Sequence, residues 1–488
     1  MASTLKQKAV SGMVWTALQR YSTIFIQFIS GIILARLLTP YDYGCIGMLS
    51  IFMMLAQTFI DSGFGSALIQ KKQPTQTDYS SIFWWNIAMA VVMYAILFVA
   101  APFIARFYEI PLLSSVLRVQ GVVLFLYAIN IIQQNQLRKK LNFKLLSIVT
   151  IATSLIALSV TIWMAYSGFG VWALVAQNLL TAAIPAIVFW VTVKWRPAFI
   201  FSPKSFKELF GFGFYMFLTQ LINEFSRQVQ GLVIGKVYNP ATLGYYAKAD
   251  GTERLASSSI SQIISQVTYP LYAEIQDDKV ALSNAIKRIT TSLAYVTFPM
   301  MFLLLLCAES IFVLLYSERW LPSVPYFQVL CIAGLAYSLQ SINLQVIAAI
   351  GKSKIMFKWT IIKRVIGLCM VFGGLALWQM KGLLCGVVLH NWFAYFVNMG
   401  LVSKHIGYRW WRQLLHLMPI LAVSVIGAAI SYGVSCLTDF SLYWDSIIRF
   451  TVFLLVYLGW SLIFHPDSFV YCKNAAVSLL EKIIHKSK

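Results

Sequence analysis

Charged residues are scarce in this sequence. They make up only 11% of its 488 residues, and just 17 are Asp or Glu, whereas about a quarter of an ordinary soluble domain is charged. Hydrophobic residues supply 59% of the chain, which is more than a soluble fold of this length can shield from water. The scarcity of charge therefore argues against a soluble protein and predicts an all-α polytopic membrane protein.

The motifs of common enzymes and metal sites are also missing. The seven cysteines stand singly, without a Cys-x-x-Cys pair, which argues against a zinc site or a disulfide framework. No HExxH sequence occurs, and Gly351-Lys352-Ser353 lacks the earlier glycine of a phosphate-binding loop. We therefore expect no enzymatic activity, no metal and no cofactor.

Long apolar segments are what the sequence does contain. About 20 apolar residues are needed to cross the hydrocarbon core as a helix, because backbone polar groups must be satisfied within the segment. Fourteen segments meet this requirement: 12–38, 44–69, 79–107, 115–136, 145–166, 171–193, 206–235, 241–272, 290–316, 325–350, 357–379, 382–402, 414–436 and 446–465. Their short connections leave no room for a soluble domain.

The basic residues predict the orientation. Of the 38 Lys and Arg residues, 27 fall in both tails and in alternate connections, so both termini are expected in the cytoplasm. The net charge of +21 is thus spread over short segments that face one leaflet. Anionic lipid headgroups are the expected partner for this charge, and nucleic acid is not. The tail 473–488 fits a basic amphipathic cytoplasmic helix or a frayed basic end.

An internal repeat divides the chain. Residues 31–44 read GIILARLLTPYDYG and residues 231–244 read GLVIGKVYNPATLG, so two glycines and a proline recur at an offset of 200. Six spans separate the copies, so the repeats are parallel and their axis runs along the membrane normal. The pattern predicts two six-helix lobes around a central cavity, at 1–205 and 206–405, followed by an extra helix pair at 406–472.

Several polar side chains lie inside predicted spans, where an ionisable group costs at least about 2.5–3.5 kcal/mol. Span 7 carries five on one helical face: Gln220, Asn223, Glu224, Arg227 and Gln228. They are expected to line a cavity; the alternative is interhelical hydrogen bonding with a local Glu224–Arg227 ion pair.

Two further groups are candidates for the same cavity. Arg20 and Gln27 share a face of span 1, although Arg20 could instead extend to the inner interface. Asp250, Glu253 and Arg254 begin span 8 near the outer side, where a solvated helix start is the alternative.

Short distinctive motifs lie along almost the whole chain. They are Ala35-Arg36-Leu37-Leu38-Thr39-Pro40, Tyr43-Gly44, Asp61 to Gln70 (DSGFGSALIQ), Ile234-Gly235-Lys236, Leu243-Gly244-Tyr245-Tyr246 and Glu318-Arg319-Trp320-Leu321-Pro322. These motifs resemble those of one family, the oligosaccharide flippases of the polysaccharide transporter family, which lies within the multidrug/oligosaccharidyl-lipid/polysaccharide exporter superfamily. Lys248 departs from the family's pattern, because members usually carry Arg there.

The resemblance implies a flippase of the bacterial plasma (inner) membrane that exports polyprenyl-diphosphate-linked sugars. Polysaccharide polymerase or export machinery is a further expected partner. Arg20, Arg227 and Arg254 are expected to hold the diphosphate, since guanidinium groups suit phosphate oxygens. The expected candidates for proton or ion coupling are Asp61, Glu224, Asp250 and Glu253.

Two alternatives from other classes stay open. The first is a cation-coupled multidrug antiporter of the same superfamily, whose cavity would need more carboxylates than arginines in order to bind cationic cargo. The second is a membrane glycosyltransferase or polymerase, which would call for catalytic groups on a larger outer loop.

Overall fold

A computed structural model describes residues 2–71, 73–437, 440–471 and 473, and all regular secondary structure in these residues is helical. The predicted tail therefore lies outside the described residues from position 474 onward. The chain divides into two compact units, Met1–Ala247 and Lys248–Lys488. The predicted lobe boundaries stay a prediction.

The first unit contains nine helices and the beginning of a tenth. They are α1 (Ala2–Leu37), α2 (Pro40–Asp61), α3 (Phe64–Gln70), α4 (Gln76–Tyr108), α5 (Leu112–Gln120), α6 (Val123–Lys139), α7 (Phe143–Tyr166), α8 (Val171–Thr192), α9 (Pro203–Val237) and the start of α10 (Pro240–Glu274). Within this unit α2 packs against α4 and α9, α1 packs against α7, and α6 packs against α8.

The second unit contains the rest of α10 and six further α-helices. These are α11 (Lys279–Leu306), α12 (Ala308–Tyr316), α13 (Val324–Ala349), α14 (Ser353–Ile406), α15 (Trp410–Cys436) and α16 (Leu442–Phe464), with a short 3₁₀ helix at Glu318–Ser323. Here α13 packs against α11 and α14, and α11 also packs against α15 and α16.

The protein is a polytopic membrane protein. Among the described residues, eleven helices are long and apolar enough to cross a membrane. The long helix α14 counts once among them, although Trp378 and Gln379 have non-helical backbone angles and divide it in two. Helices α9 and α10, each of 35 residues, are not among the eleven. The fourteen predicted segments lie largely on helix, but three of them each cover two helices with a short break between: 44–69, 115–136 and 290–316.

The helix starts follow from local sequence. Thr39 caps α2 through a capping box with Asp42, and Pro40 occupies the first turn, where a missing N–H costs nothing. Thr75 and Asp78 form the same box at the start of α4. The repeat is visible in these boundaries, because α1 and α9 end at positions 37 and 237, and α2 and α10 begin at positions 40 and 240.

The two copies of the repeat meet within the first unit. A Cβ on Gly44 would overlap the backbone carbonyl of Pro240, and a Cβ on Gly244 would overlap that of Pro40. The contact is therefore reciprocal, and each glycine is needed because the opposing backbone occupies the place of a side chain.

Helix α14 doubles back on itself as a hairpin. A Cβ on Gly374 would overlap the backbone of Gly382, and the reverse also holds. A Cβ on Gly386 would likewise meet the backbone of Met370. These pairs run antiparallel on either side of the break, so small residues let the two halves of α14 pack backbone against backbone.

An ion cluster holds the α3–α4 end of the first unit. Lys71 Nζ lies 3.1 Å from carboxylate oxygens of both Asp78 and Glu208, and the Asp78 side chain is 1% exposed. Burial acts to lower the pKa of Lys71, but the two carboxylates outweigh it and the pKa is raised. Lys139 on α6 adds a hydrogen bond from its Nζ to the Leu68 carbonyl at 3.1 Å.

Arg449 joins three helices of the second unit. On α16 it pairs with Asp445 at 2.7 Å, and its Nε donates to Ser435 Oγ on α15 at 2.9 Å. Its Nη1 donates to the carbonyl of Leu306, the last residue of α11, at 3.2 Å. The arginine thus links the final helix pair to the rest of its unit.

Candidate functional site

Arg20 is half-buried on α1, within the first predicted span. Among the part of the chain that the structure describes, it forms no ion pair. The next residue N-terminal to it, Gln19, is instead bound to α7, where it accepts from Ser147 and donates to Thr150. Gln27 is exposed. A guanidinium without a carboxylate partner remains available to an anion.

The polar stripe on α9 is present, and its members have different surroundings. Gln220 is exposed and Asn223 is half-buried. Arg227 Nη2 lies 2.6 Å from Glu224 Oε2, so the local ion pair of the alternative interpretation forms. Gln228 accepts a hydrogen bond from Ser50 on α2 at 3.2 Å. The Arg227 side chain is still 47% exposed, and it can turn from Glu224 toward another anion.

The acidic and basic residues of α10 belong to the second unit. Arg254 Nε lies 2.7 Å from Asp250 Oδ2, one helical turn away. Glu253 differs, because it is only 6% exposed and its Oε1 has no hydrogen-bond partner among the described residues. Its carboxylate packs against Gly334 on α13, where a Cβ would overlap Oε1. A buried carboxylate in this setting is costly unless it is protonated or binds a cation.

Lys248 occupies the position where the family usually has Arg, and sequence reasoning did not include it in the site. Its Nζ lies 4.0 Å from the centre of the Tyr316 ring and 5.6 Å from that of Trp320, which is fully buried. An ammonium over aromatic faces is held by the ring quadrupole. The motif around Trp320 therefore meets Lys248, two positions after Tyr246.

Lys363 on α14 is a further residue that the sequence pattern alone does not place in a polar site. It is 7% exposed and donates to Asn398 Oδ1 at 2.5 Å, across the two halves of α14. Asn398 in turn donates to the carbonyl of Gln340 on α13 at 3.3 Å. The sequence signal that could have predicted this polar site is the set of amides, Gln340 and Asn398 among them, in the predicted segments 325–350 and 382–402.

Asp61 ends α2 and faces a pocket of about 230 Å³ inside the first unit. Backbone groups of Gly63 and Gly65 approach its carboxylate, and Arg138 attracts it across the pocket. We call this cavity the α6 pocket, because most of its lining comes from that helix; its residues are Asp61, Gly65, Ile69, Tyr127, Ile131, Gln134, Asn135 and Arg138.

Solved membrane transporters share this fold. The lipid II flippase MurJ in an inward closed conformation matches with a TM-score of 0.75 over 93% of this chain and 99% of its own, at 16% identity. An inward-facing multidrug resistance MATE family transporter matches with a TM-score of 0.63 over 81% of this chain and 98% of its own, at 14% identity. At such identities the likeness shows the fold alone.

Curated relatives agree with this class. The teichuronic acid biosynthesis protein TuaB of Bacillus subtilis is 28% identical over 361 residues, 74% of each chain. The lipopolysaccharide biosynthesis protein WzxC of Escherichia coli is 21% identical over 436 residues, 88% of each chain. The succinoglycan biosynthesis transport protein ExoT of Rhizobium meliloti is 24% identical over 366 residues, 75% of this chain and 74% of its own.

Helices, fold and relatives together define a multi-pass membrane transporter of polysaccharide biosynthesis. More particularly, residues 33–325 match the model of one family, and the chain belongs to it: the polysaccharide biosynthesis protein family. The resemblance inferred from the short motifs is thereby confirmed.

Proposed function

We propose that the protein flips a polyprenyl-diphosphate-linked oligosaccharide from the cytoplasmic to the outer leaflet by alternating access. In this proposal fourteen spans form two parallel six-helix lobes around a cavity, with an extra helix pair and both termini in the cytoplasm. The sugar and diphosphate cross in the cavity while the polyprenyl tail stays in lipid.

Family membership supports the class of cargo, and Arg20 is the observation that carries the binding mode. A half-buried guanidinium inside a span, with no ion pair among the described residues, calls for an anion. Arg227, whose side chain is 47% exposed, supplies a second guanidinium, and Arg254 a third. Diphosphate oxygens accept forked hydrogen bonds from such groups.

The membrane potential supports the direction of transport. Moving one charge across 100 mV is worth about 2.3 kcal/mol, so sending out a dianion gains roughly twice that. Proton or ion coupling through Asp61, Glu224, Asp250 or Glu253 remains a proposal. Glu253 is the best placed of the four, because it is buried and its Oε1 lacks a partner among the described residues.

The test is a flipping assay in proteoliposomes with a short-chain fluorescent lipid diphosphate oligosaccharide. We expect R20Q and R227Q each to weaken binding by about 10-fold or more, because a hydrogen bond to a charged group is worth about 1.5–3 kcal/mol. The matched control is K207Q, which removes an exposed charge from the same helix as Arg227. Unchanged flipping in both arginine variants, at equal membrane levels, would refute the binding mode.

A multidrug antiporter is the second candidate, and one observation favours it: the buried Glu253 carboxylate is the kind of group that binds a proton or a cationic drug. Transport of cationic dyes into the same proteoliposomes separates the two. Dye transport that E253Q abolishes, without any flipping of lipid diphosphate sugar, would establish the antiporter. Long polymer formed from purified protein and lipid-linked repeat units would instead point to a polymerase.

A further inference from the structure

The α6 pocket contains a polar group that its surroundings leave unsatisfied. Asn135 is 5% exposed, and its Nδ2 has no hydrogen-bond partner among the described residues. Leaving a buried donor unpaired costs the full desolvation of that group, so native proteins supply such donors with a ligand or water. Asn135 is one of the residues that line the α6 pocket, and its Nδ2 is buried beside it.

The carboxylate of Asp61 lies close to the Asn135 amide. The place that a Cβ of Gly65 would take lies 2.9 Å from Asp61 Oδ1 and 3.1 Å from Asn135 Nδ2. A carboxylate that only accepts hydrogen bonds and an amide that donates them are therefore presented side by side. A side chain at position 65 would crowd both groups, and the glycine leaves that space free.

The rest of the lining extends this array of donors and acceptors. Arg138 offers a fork of donors, and the Gln134 amide can both donate and accept. The lining also includes the ring of Tyr127 and the apolar side chains of Ile69 and Ile131. Ile69 is 42% exposed, so the pocket reaches the surface of the unit.

Polar groups around an apolar wall suit a sugar ring, which has hydroxyls at its edge and C–H groups on its faces. Pockets for drug-sized ligands have about 300–1,000 Å³, and at about 230 Å³ the α6 pocket is smaller. It therefore fits one small polar ring and not a whole oligosaccharide. A diphosphate is a poor occupant, because Asp61 would repel it.

We propose that the α6 pocket is a sugar-binding subsite that holds one ring of the lipid-linked glycan through its hydroxyls. The inference rests on the proposed function, since it assigns part of the same cargo to this pocket. Arg138 lies near the end of α6 that is predicted to face the cytoplasm, where the cargo would enter. The pocket would then bind one sugar of the glycan while Arg20, Arg227 and Arg254 hold the diphosphate.

The experiment uses the full chain in nanodiscs and two probes. The first probe is the oligosaccharide released by mild acid from the host's own lipid carrier, and the second is a short polyprenyl diphosphate that bears no sugar. Binding of each is measured by calorimetry for the wild type, Q134L and N135L. The matched control is Q136L, the same change at a buried amide of α6 that does not line the pocket.

We expect Q134L and N135L each to weaken binding of the released oligosaccharide by about 2- to 10-fold, since a net hydrogen bond is worth about 0.5–1.5 kcal/mol. Binding of the sugar-free diphosphate should not change in either variant, and Q136L should bind both probes as the wild type does. Correct folding is checked by this retained diphosphate binding.

Two results would overturn the subsite. They are a wild type that does not bind the released oligosaccharide at millimolar concentration, and equal weakening of binding for both probes. The first of these leaves water as the occupant of the pocket. Failure of the proposed function is distinguished by the flipping assay, in which intact lipid-linked sugar would then not cross.

Discussion

The reciprocal contact of Gly44 and Gly244 allows a sharp test of the packing within the first unit. The substitution G44A adds one methyl group that points at the carbonyl of Pro240, and G244A adds one that points at the carbonyl of Pro40. Real side-chain carbons keep at least 3.0 Å from such atoms, and the space left here is well below that. The two helix starts must therefore move apart by about 1 Å or more.

The free-energy cost of each substitution depends on which of the contacting atoms can move. Overpacking a close-packed interior costs about 1–3 kcal/mol, and occasionally more. Backbone carbonyls cannot rotate away as a side chain does, so each substitution should cost about 3 kcal/mol, at the upper end of that range. In the double variant the second methyl group enters a gap that the first has already opened, so the two effects should fall short of additivity.

The assay is thermal unfolding of the purified full chain in detergent, with membrane levels measured alongside. The matched control is G211A on α9, because a Cβ there meets nothing within 4 Å. Replacing an unconstrained helical glycine should stabilise by about 0.5–1 kcal/mol. If G44A and G244A unfold at the temperature of the wild type, the backbones do not touch and the reasoning is wrong.

Three further predictions concern single side chains. R449M should lower the free energy of unfolding by about 1.5–3 kcal/mol, because hydrogen bonds to a charged group are lost at the junction of three helices; thermal unfolding measures it. K71M should destabilise at neutral pH, since the raised pKa of Lys71 means that its pairing with Asp78 stabilises the fold below the ordinary lysine pKa. That stabilisation is lost as the pH rises through the raised value, so unfolding midpoints of variant and wild type should converge in an alkaline series; a constant difference contradicts it. G334A should displace the Glu253 carboxylate and impair transport more than it lowers stability, and equal transport rates at equal protein levels would exclude that contact.

Much of the helical framework could be predicted from the sequence, because bilayer physics leaves few choices. A segment of about 20 apolar residues must satisfy its backbone internally, which is why the fourteen segments lie largely on helix. Hydropathy did not predict the short breaks inside three of them, because the residues at the breaks are as apolar as their neighbours or are small. The offset of 200 was equally informative, since Pro40 and Pro240 begin corresponding helices. The Glu224–Arg227 pair, which helical spacing offered only as the alternative to a cavity-lining stripe, forms.

The α6 pocket could not be predicted in the same way. Asp61 and Arg138 are 77 positions apart, and only the packing of α2 and α3 against α6 brings them to one cavity. Hydropathy depends only on a residue's neighbours in sequence, so it does not reveal what lies near Arg138 or Lys363 in space. Burial of Lys363 depends on Asn398, which lies 35 positions further along the chain.

The doubled-back helix α14 has a consequence for how the chain enters the bilayer. Only Trp378 and Gln379 interrupt its helical backbone, and Lys381 is the one charged residue at the tip. In the orientation proposed above, translocation of this segment requires moving only a two-residue turn and a single ammonium across the membrane. The glycine-lined faces of the two halves pack against each other and not against lipid. We expect the pair to leave the insertion machinery together, as one preassembled hairpin, because either half alone would present a bare backbone groove to the acyl chains.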